Sequence, residues 1–328
     1  MIKEKLKQHK SFIITIITIF LLFAVPLPFY IEKEGGVIAT KNRIDIENAY
    51  KADGEFYMTY VSEIKVNIPL YIISFFNKNW DLIKKEEVIL NNETEEDVYF
   101  RSKLLLDESI QNAIIAAYNL ANKTVNITKE DCYVTYIDSL ANTDLQIKDK
   151  IIKINNIKVT NRNHIHEIIN NYKVGDILNF EVERNNNILK CTAKLIEIEG
   201  NAFIGVMIST KKEIVTKPNI DIKFEKGESG SSGGLMMALE IYNSLTEEDI
   251  TRGRKIAGTG TIDENGNVGK ISGIKYKIKG ASKEADIFLA PSGENYLEAI
   301  QAVKDYNLDI KVIEVSTLKE AITKLKEG

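Results

Sequence analysis

The strongest constraint in this sequence is a glycine-rich turn that runs straight into an apolar segment. Gly230-Ser231-Ser232-Gly233-Gly234 carries the pattern G-x-S-x-G with Ser232 at its centre. Leu235-Met236-Met237-Ala238-Leu239 follows at once, continued by Ile241 and Tyr242. Leu235, Ala238, Leu239, Tyr242 and Leu245 recur at helical spacing, which predicts a buried helix. The glycines allow a tight turn and close approach of a substrate. Free N–H groups and the positive helix end can stabilise an oxyanion, so Ser232 is placed for nucleophilic attack. The same pentapeptide also serves as a plain loop before a core helix, and the choice turns on a base for Ser232.

The chain has three histidines, His9, His164 and His166, and none follows Ser232. That count excludes the α/β-hydrolase order of serine, acid and histidine. A Ser-Lys pair is the remaining common arrangement. Lys275 follows Ser272-Gly273-Ile274, with Ser272 as a plausible helix cap, and so falls in a first helical turn. The positive helix end disfavours an ammonium there, and Ile271, Ile274 and Ile278 supply apolar surroundings that lower a lysine pKa. A neutral Lys275 amine would accept the serine proton. Lys277 and Lys279 are expected in solvent.

Three stretches together resemble the proteolytic domain of Lon proteases: Gly230 to Gly234, Ala257-Gly258-Thr259-Gly260-Thr261-Ile262, and Gly273-Ile274-Lys275. The separation of Ser232 from Lys275 fits that family's Ser-Lys dyad. The nearer resemblance is to membrane-anchored, PDZ-containing, ATPase-free Lon-like proteases of Gram-positive bacteria, through Leu235 to Ile241 and Lys255 to Asp263. The resemblance implies a serine endopeptidase with Ser232 as nucleophile and Lys275 as base. It further implies Gly230, Ser231 and Gly233 in the oxyanion loop, and Thr259 hydrogen-bonded to the lysine. Ser231 and Gly233 stand where the family usually has proline and alanine, and Ser229 where many ATP-dependent members have aspartate.

Ser11 to Ile31 is a run of 21 residues without a charge. That is enough for a membrane span, which needs ~20 apolar residues. Lys3, Lys5, Lys7 and Lys10 precede it, and Glu32 and Glu34 follow, which predicts an inside N-terminus and an outside remainder. An uncleaved anchor is favoured over a signal peptide, because no A-x-A site follows the run. Phe56 to Val61 reads as a strand after a turn at Asp53-Gly54. Pro69 to Leu90 and Asp107 to Asn122 read as helices.

Cys132 to Ser209 resembles a PDZ domain of the bacterial, permuted type. Leu145 to Asn155 matches its Leu-x-x-Gly-Asp-x-Ile stretch, with Lys148 in place of the glycine. The resemblance makes Tyr133, Val134 and Thr135 the peptide-binding edge strand, beside a helix near Asn163 to Tyr172. Such a module adds a peptide as an extra strand. Cys132 and Cys191 fall in its first and last strands, and a disulfide and free thiols both stay open. Lys212 to Pro218 reads as a hinge. Beyond it, Lys255 to Ile262 and Val268 to Ile271 form a hairpin about Asn265-Gly266.

The fold class expected is thus α+β and multidomain. The divisions are a cytoplasmic tail over 1–10, a transmembrane anchor over 11–31, a β/helical region over 32–128, a PDZ-like domain over 129–211 and a Lon-type proteolytic domain over 212–328. Net charge is −4, so no nucleic-acid partner is expected. Gly258-x-Gly260 runs into Asp263, and Gly269-Lys270 into Ile271, so neither is a nucleotide motif. No cofactor and no metal are expected, and proteolysis should not need ATP. The expected partners are protein or peptide substrates and the lipid bilayer, with a homo-oligomer left open. A non-catalytic PDZ scaffold with an inactive Lon-like domain is the alternative.

Overall fold

A computed structural model describes residues 9–90 and 93–328 of the protein. Lys3, Lys5 and Lys7 lie outside the described residues. The uncharged N-terminal run is helical only as α1 (Lys10–Ala24). Pro26 and Pro28 then deny the backbone donors a helix needs, and the chain extends as strand β1 (Pro26–Ala39). The span expected over 11–31 is therefore divided, with Ile31 fully buried in a sheet. Among the described residues no helix is long and apolar enough to cross a membrane.

Strand β2 (Glu55–Asn67) follows the Asp53-Gly54 turn and pairs antiparallel with β1. The single helix expected over Pro69 to Leu90 is not formed. Helix α2 (Ile68–Ser74) ends after two turns, and strand β3 (Trp80–Lys84) pairs with the far side of β1. Helix α3 (Glu95–Leu120) begins well before Asp107. Thr94 caps it: the Thr94 hydroxyl accepts from Asp97 N, and the Asp97 carboxylate accepts from Thr94 N.

A second sheet comes next. It holds β4 (Thr124–Ile137), β5 (Lys150–Ile154), β6 (Ile177–Arg184), β7 (Asn187–Lys194) and β8 (Val206–Lys217), in the order β8-β4-β5-β6-β7. Helix α4 (Arg162–Ile169) closes one face with Ile165, Ile168 and Ile169, over a core of Val134, Leu178, Phe180 and Val182. Asn185 and Asn186, both at positive φ, make the two-residue turn of the β6–β7 hairpin. Lys212 to Lys217 continues β8 along β4 and is not a hinge. Cys132 and Cys191 are free and buried, on β4 and β7, with β5 and β6 between them. Lys148, at φ +78°, occupies the left-handed conformation that a glycine in this motif would adopt without strain.

The chain then returns to the first sheet. Helix α5 (Gly234–Leu245) precedes β9 (Lys255–Gly258). After β9 come α6 (Ile274–Ala281), β10 (Ile287–Pro291), α7 (Glu294–Tyr306), β11 (Lys311–Val315) and α8 (Leu318–Glu327). The first sheet runs β11-β10-β9-β2-β1-β3, with β9 parallel to both β2 and β10. Side chains alternate across it as strand geometry requires. Phe56, Met58, Ile256 and Leu289 face one core with α3, α5 and α8, whereas Tyr57, Ala257, Phe288 and Ala290 face another with α6 and α7. Helices on both faces make this a mixed α/β domain. The segments expected as separate units over 32–128 and 212–328 share its sheet, and the second sheet is an insertion between them. The expected hairpin is also smaller. Only Thr261–Ile262 and Val268–Gly269 pair, while β9 lies in the main sheet.

Candidate functional site

Ser232 lies one residue before Gly233, which caps α5, so it sits at the positive end of a helix that is buried along most of its length. Gly230, at φ +89°, turns the chain into it, a conformation open to glycine without strain. The loop is held from three sides. Gly230 N donates to Ser102 O at 3.1 Å, Lys103 Nζ donates to Glu228 O at 2.6 Å, and Arg43 clasps Glu228 through Nη2 to Oε1 at 2.7 Å. Burial raises the Glu228 carboxyl pKa, but the hydrogen bonds from Arg43 and the Glu225 backbone, with the charges of Arg43 and Lys103, together outweigh it and hold the group below its ordinary value. Ser109 on α3 donates its hydroxyl to Ser231 O at 3.0 Å. Gly260 N donates to Ser232 O at 2.8 Å. The N–H groups of Ser232 and Gly233 have no acceptor among the described residues, which leaves both free for an incoming carbonyl oxygen.

The lysine linked to this loop is Lys277, whereas Lys275, expected there, is paired elsewhere. Lys275 leaves about a third of its side chain exposed and forms an ion pair with Asp81 on β3. Lys277 was expected in solvent but is only 5 % exposed. Lys279 is also buried, and its Nζ donates to Asn79 Oδ1 at 2.8 Å. The Lys277 Nζ points to Thr259 Oγ1 at 3.4 Å, and Thr259 Oγ1 in turn donates to Ser232 O at 3.0 Å. One threonine hydroxyl thus joins the buried amine to the serine residue. Burial pushes the Lys277 amine down to about 8, against the pull of Glu32 in the other direction. Helical periodicity carried the signal. Ile274, Ile278 and Ala281 form the buried stripe of α6, and Lys277, three residues after Ile274, lies on that stripe, whereas Lys275 at i+1 does not.

The expected peptide-binding strand also moves. Tyr133, Val134 and Thr135 lie on β4, which is flanked by β8 on one side and β5 on the other. Val134 and Thr135 are buried. No open edge exists there, because β8, distant in sequence, has paired along the whole of β4. The edge of this sheet is β8 itself, with α4 packed beside it. Its outward donors at Thr210 and Lys212 meet Glu108 Oε2 at 3.4 Å and Gln111 Oε1 at 2.8 Å on α3. Val206 and Ile208, in phase with those two, face the same outer side ahead of the helix. Gly205, at φ +80°, turns the chain into this edge. Consecutive residues of α3, Glu108 and Ser109, therefore touch the edge strand and the serine loop. Neither was legible from the sequence.

His164 and His166 lie on α4, where Thr160 Oγ1 meets His164 Nδ1 at 3.0 Å. Among the described residues no group of side chains could hold a metal ion.

A family model for the PDZ domain matches residues 116–195. Two solved structures are similar to part of the chain. One is the PDZ domain of the SdrC-like protein from Listeria monocytogenes, at 19% identity and TM-score 0.23, covering 25% of this chain and 92% of that one. The other is the second domain of a Listeria protein, at 22% identity and TM-score 0.22, covering 26% and 89%. No curated protein matches the chain. With its own core, closing helix and family match, the inserted sheet is a PDZ domain, a module that binds proteins or peptides.

Proposed function

We propose that the chain is a membrane-anchored, ATP-independent serine endopeptidase of the Lon-like kind, with Ser232 as nucleophile and Lys277 as general base. The observation that supports this most is the hydrogen-bonded link from Lys277 through Thr259 to the backbone carbonyl oxygen of Ser232, which holds the amine beside the serine residue. An amine near 8 is neutral often enough at neutral pH to take the Ser232 proton. The serine oxygen then attacks the substrate carbonyl, and the N–H groups of Ser232 and Gly233 receive the oxyanion. The protonated lysine returns its proton to the leaving amine, and a water molecule repeats the cycle to free the acyl group. Lys275 is unsuited to this work, since it is partly exposed and held in an ion pair with Asp81 on β3.

The PDZ domain selects the substrate by adding an extended segment to the outer side of β8 at Val206 and Ile208. Helix α1 holds the chain at the membrane, with the catalytic domain on the extracytoplasmic side. The scaffold reading keeps the PDZ domain as the working part and gives Ser232 no chemistry.

A fluorophosphonate serine probe separates the two. Labelling of the wild type, absent in Ser232→Ala and Lys277→Ala, together with cleavage of unfolded casein without nucleotide, is the expected result. A folded wild type that takes up no probe and cleaves nothing would leave only the scaffold.

A further inference from the structure

Strand β2 loses one of its two neighbours part-way along. On one side it pairs with β1 from Tyr57 to Asn67. On the other it pairs with β9 only from Glu55 to Met58. Glu55 N donates to Arg254 O at 3.1 Å, which sets the phase of that parallel ladder. Alternate residues, Glu55, Tyr57, Thr59, Val61 and Glu63, therefore turn their N–H and C=O groups to the β9 side. Tyr60, between them, faces β1, where a side chain at Gly35 would run into its carbonyl. One step further along the ladder, Gly260 N would donate to Thr59 O. It donates instead to Ser232 O at 2.8 Å. Among the described residues, nothing else pairs with the Thr59 carbonyl or with the Val61 and Glu63 backbone on that side.

We propose that this open stretch of β2, from Thr59 to Glu63, is where the substrate lies: an unfolded polypeptide adds to it as an extended strand and brings its scissile carbonyl to Ser232. The proposal rests on the protease reading and names the surface that reading lacks. The edge opens at the point where Gly260 turns to Ser232, so a chain in the place that β9 vacates starts beside the nucleophile. The two catalytic elements flank that place on opposite faces of the sheet. A side chain at Gly233 would meet Met58 Sδ at 2.8 Å, which puts the serine loop over the face of Met58. A side chain at Gly273, the cap of α6, would meet Val61 Cγ2 at 2.9 Å, which puts the lysine helix over the face of Val61. Met58 and Val61 point to opposite sides because strand residues alternate. An open edge accepts an extended backbone whatever its side chains. The substrate class is therefore a flexible or unfolded segment, selected here by its backbone. The β8 edge of the PDZ domain is a separate surface.

The test uses the full chain in detergent and one short peptide that it cleaves at a single bond. The peptide is resynthesised with an N-methyl group at each residue in turn. Strand pairing predicts that kcat/KM falls about fivefold or more at every second residue on one side of the bond, with little change at the residues between, since each lost hydrogen bond is worth about that factor. Val61→Pro removes one outward donor of β2 and leaves its pairing with β1, so it should lower kcat/KM by a similar factor with unchanged circular dichroism. If that variant does not fold, the N-methyl series on the wild type decides alone. Cleavage without alternation along the peptide overturns the proposal and leaves the protease reading standing. A wild type that cleaves nothing and takes up no fluorophosphonate overturns both. Self-association that Val61→Pro abolishes, with no alternation in the series, assigns the edge to a second copy of the chain instead.

Discussion

Replacing Lys277 by methionine should abolish peptide hydrolysis and, at neutral pH, stabilise the fold. The amine is buried and pushed from 10.5 to about 8, so holding it charged in the folded state costs on the order of 3 kcal/mol. The folded value lies below the unfolded one. The cost is therefore complete below about pH 8 and fades as pH rises toward 10.5. Methionine fills similar space without the charge and gives up one hydrogen bond to Thr259. A net gain of about 2 kcal/mol at pH 7, shrinking to nothing near pH 10.5, should appear in urea unfolding of the variant against wild type. The same group governs the rate. About one lysine in ten is neutral at pH 7 and about nine in ten at pH 9, so wild-type kcat/KM should rise about tenfold across that interval. Lys277→Arg should be inactive, since guanidinium does not deprotonate in proteins. Lys275→Ala should keep the pH profile and lose less than about 1 kcal/mol of stability, because its ion pair is partly exposed. Substantial activity in Lys277→Arg, or an inactive but folded Lys275→Ala, would refute the assignment.

Ser109→Ala removes the hydroxyl that holds Ser231 O, a bond worth about 1 kcal/mol. It should lower kcat about fivefold with little change in KM, measured on a short peptide. Ile208→Pro removes one outward donor from the edge strand β8 without touching its pairing side. It should weaken cleavage of a protein substrate while sparing that of a short peptide, and equal loss on both would move peptide binding elsewhere. Lys148→Gly relieves a left-handed residue at a saving of about 1 kcal/mol, against the loss of exposed ion pairs to Glu96 and Asp97. Thermal unfolding should show a small net gain in Tm.

The serine loop, the buried helix after it and the PDZ domain were legible because each rests on local pattern. Gly230 to Leu245 needs only a turn and an apolar run, and Leu145 to Asn155 is a contiguous motif. The lysine was half legible. Ile274, Ile278 and Ala281 already marked the buried face of α6, but Lys275 drew attention by its place in the first helical turn and by a spacing to Ser232 that fits the family resemblance. Spacing along the chain does not report which way a side chain faces, and two residues along a helix turn it to another side.

Local chemistry in the amino-acid sequence determined the serine loop, the glycines that free its backbone, and the apolar segments that must leave water. Long-range pairing decided the rest. Phe56 and Ile256 are distant in sequence yet lie on adjacent strands, and only that pairing joins the N-terminal strands to β9 in one sheet. The edge of the PDZ sheet belongs to β8 for the same reason, since whichever strand pairs outermost keeps its donors. Whether a lysine keeps or loses its charge depends on the surface its helix packs against. That surface exists only once β1, β2 and β9 have come together.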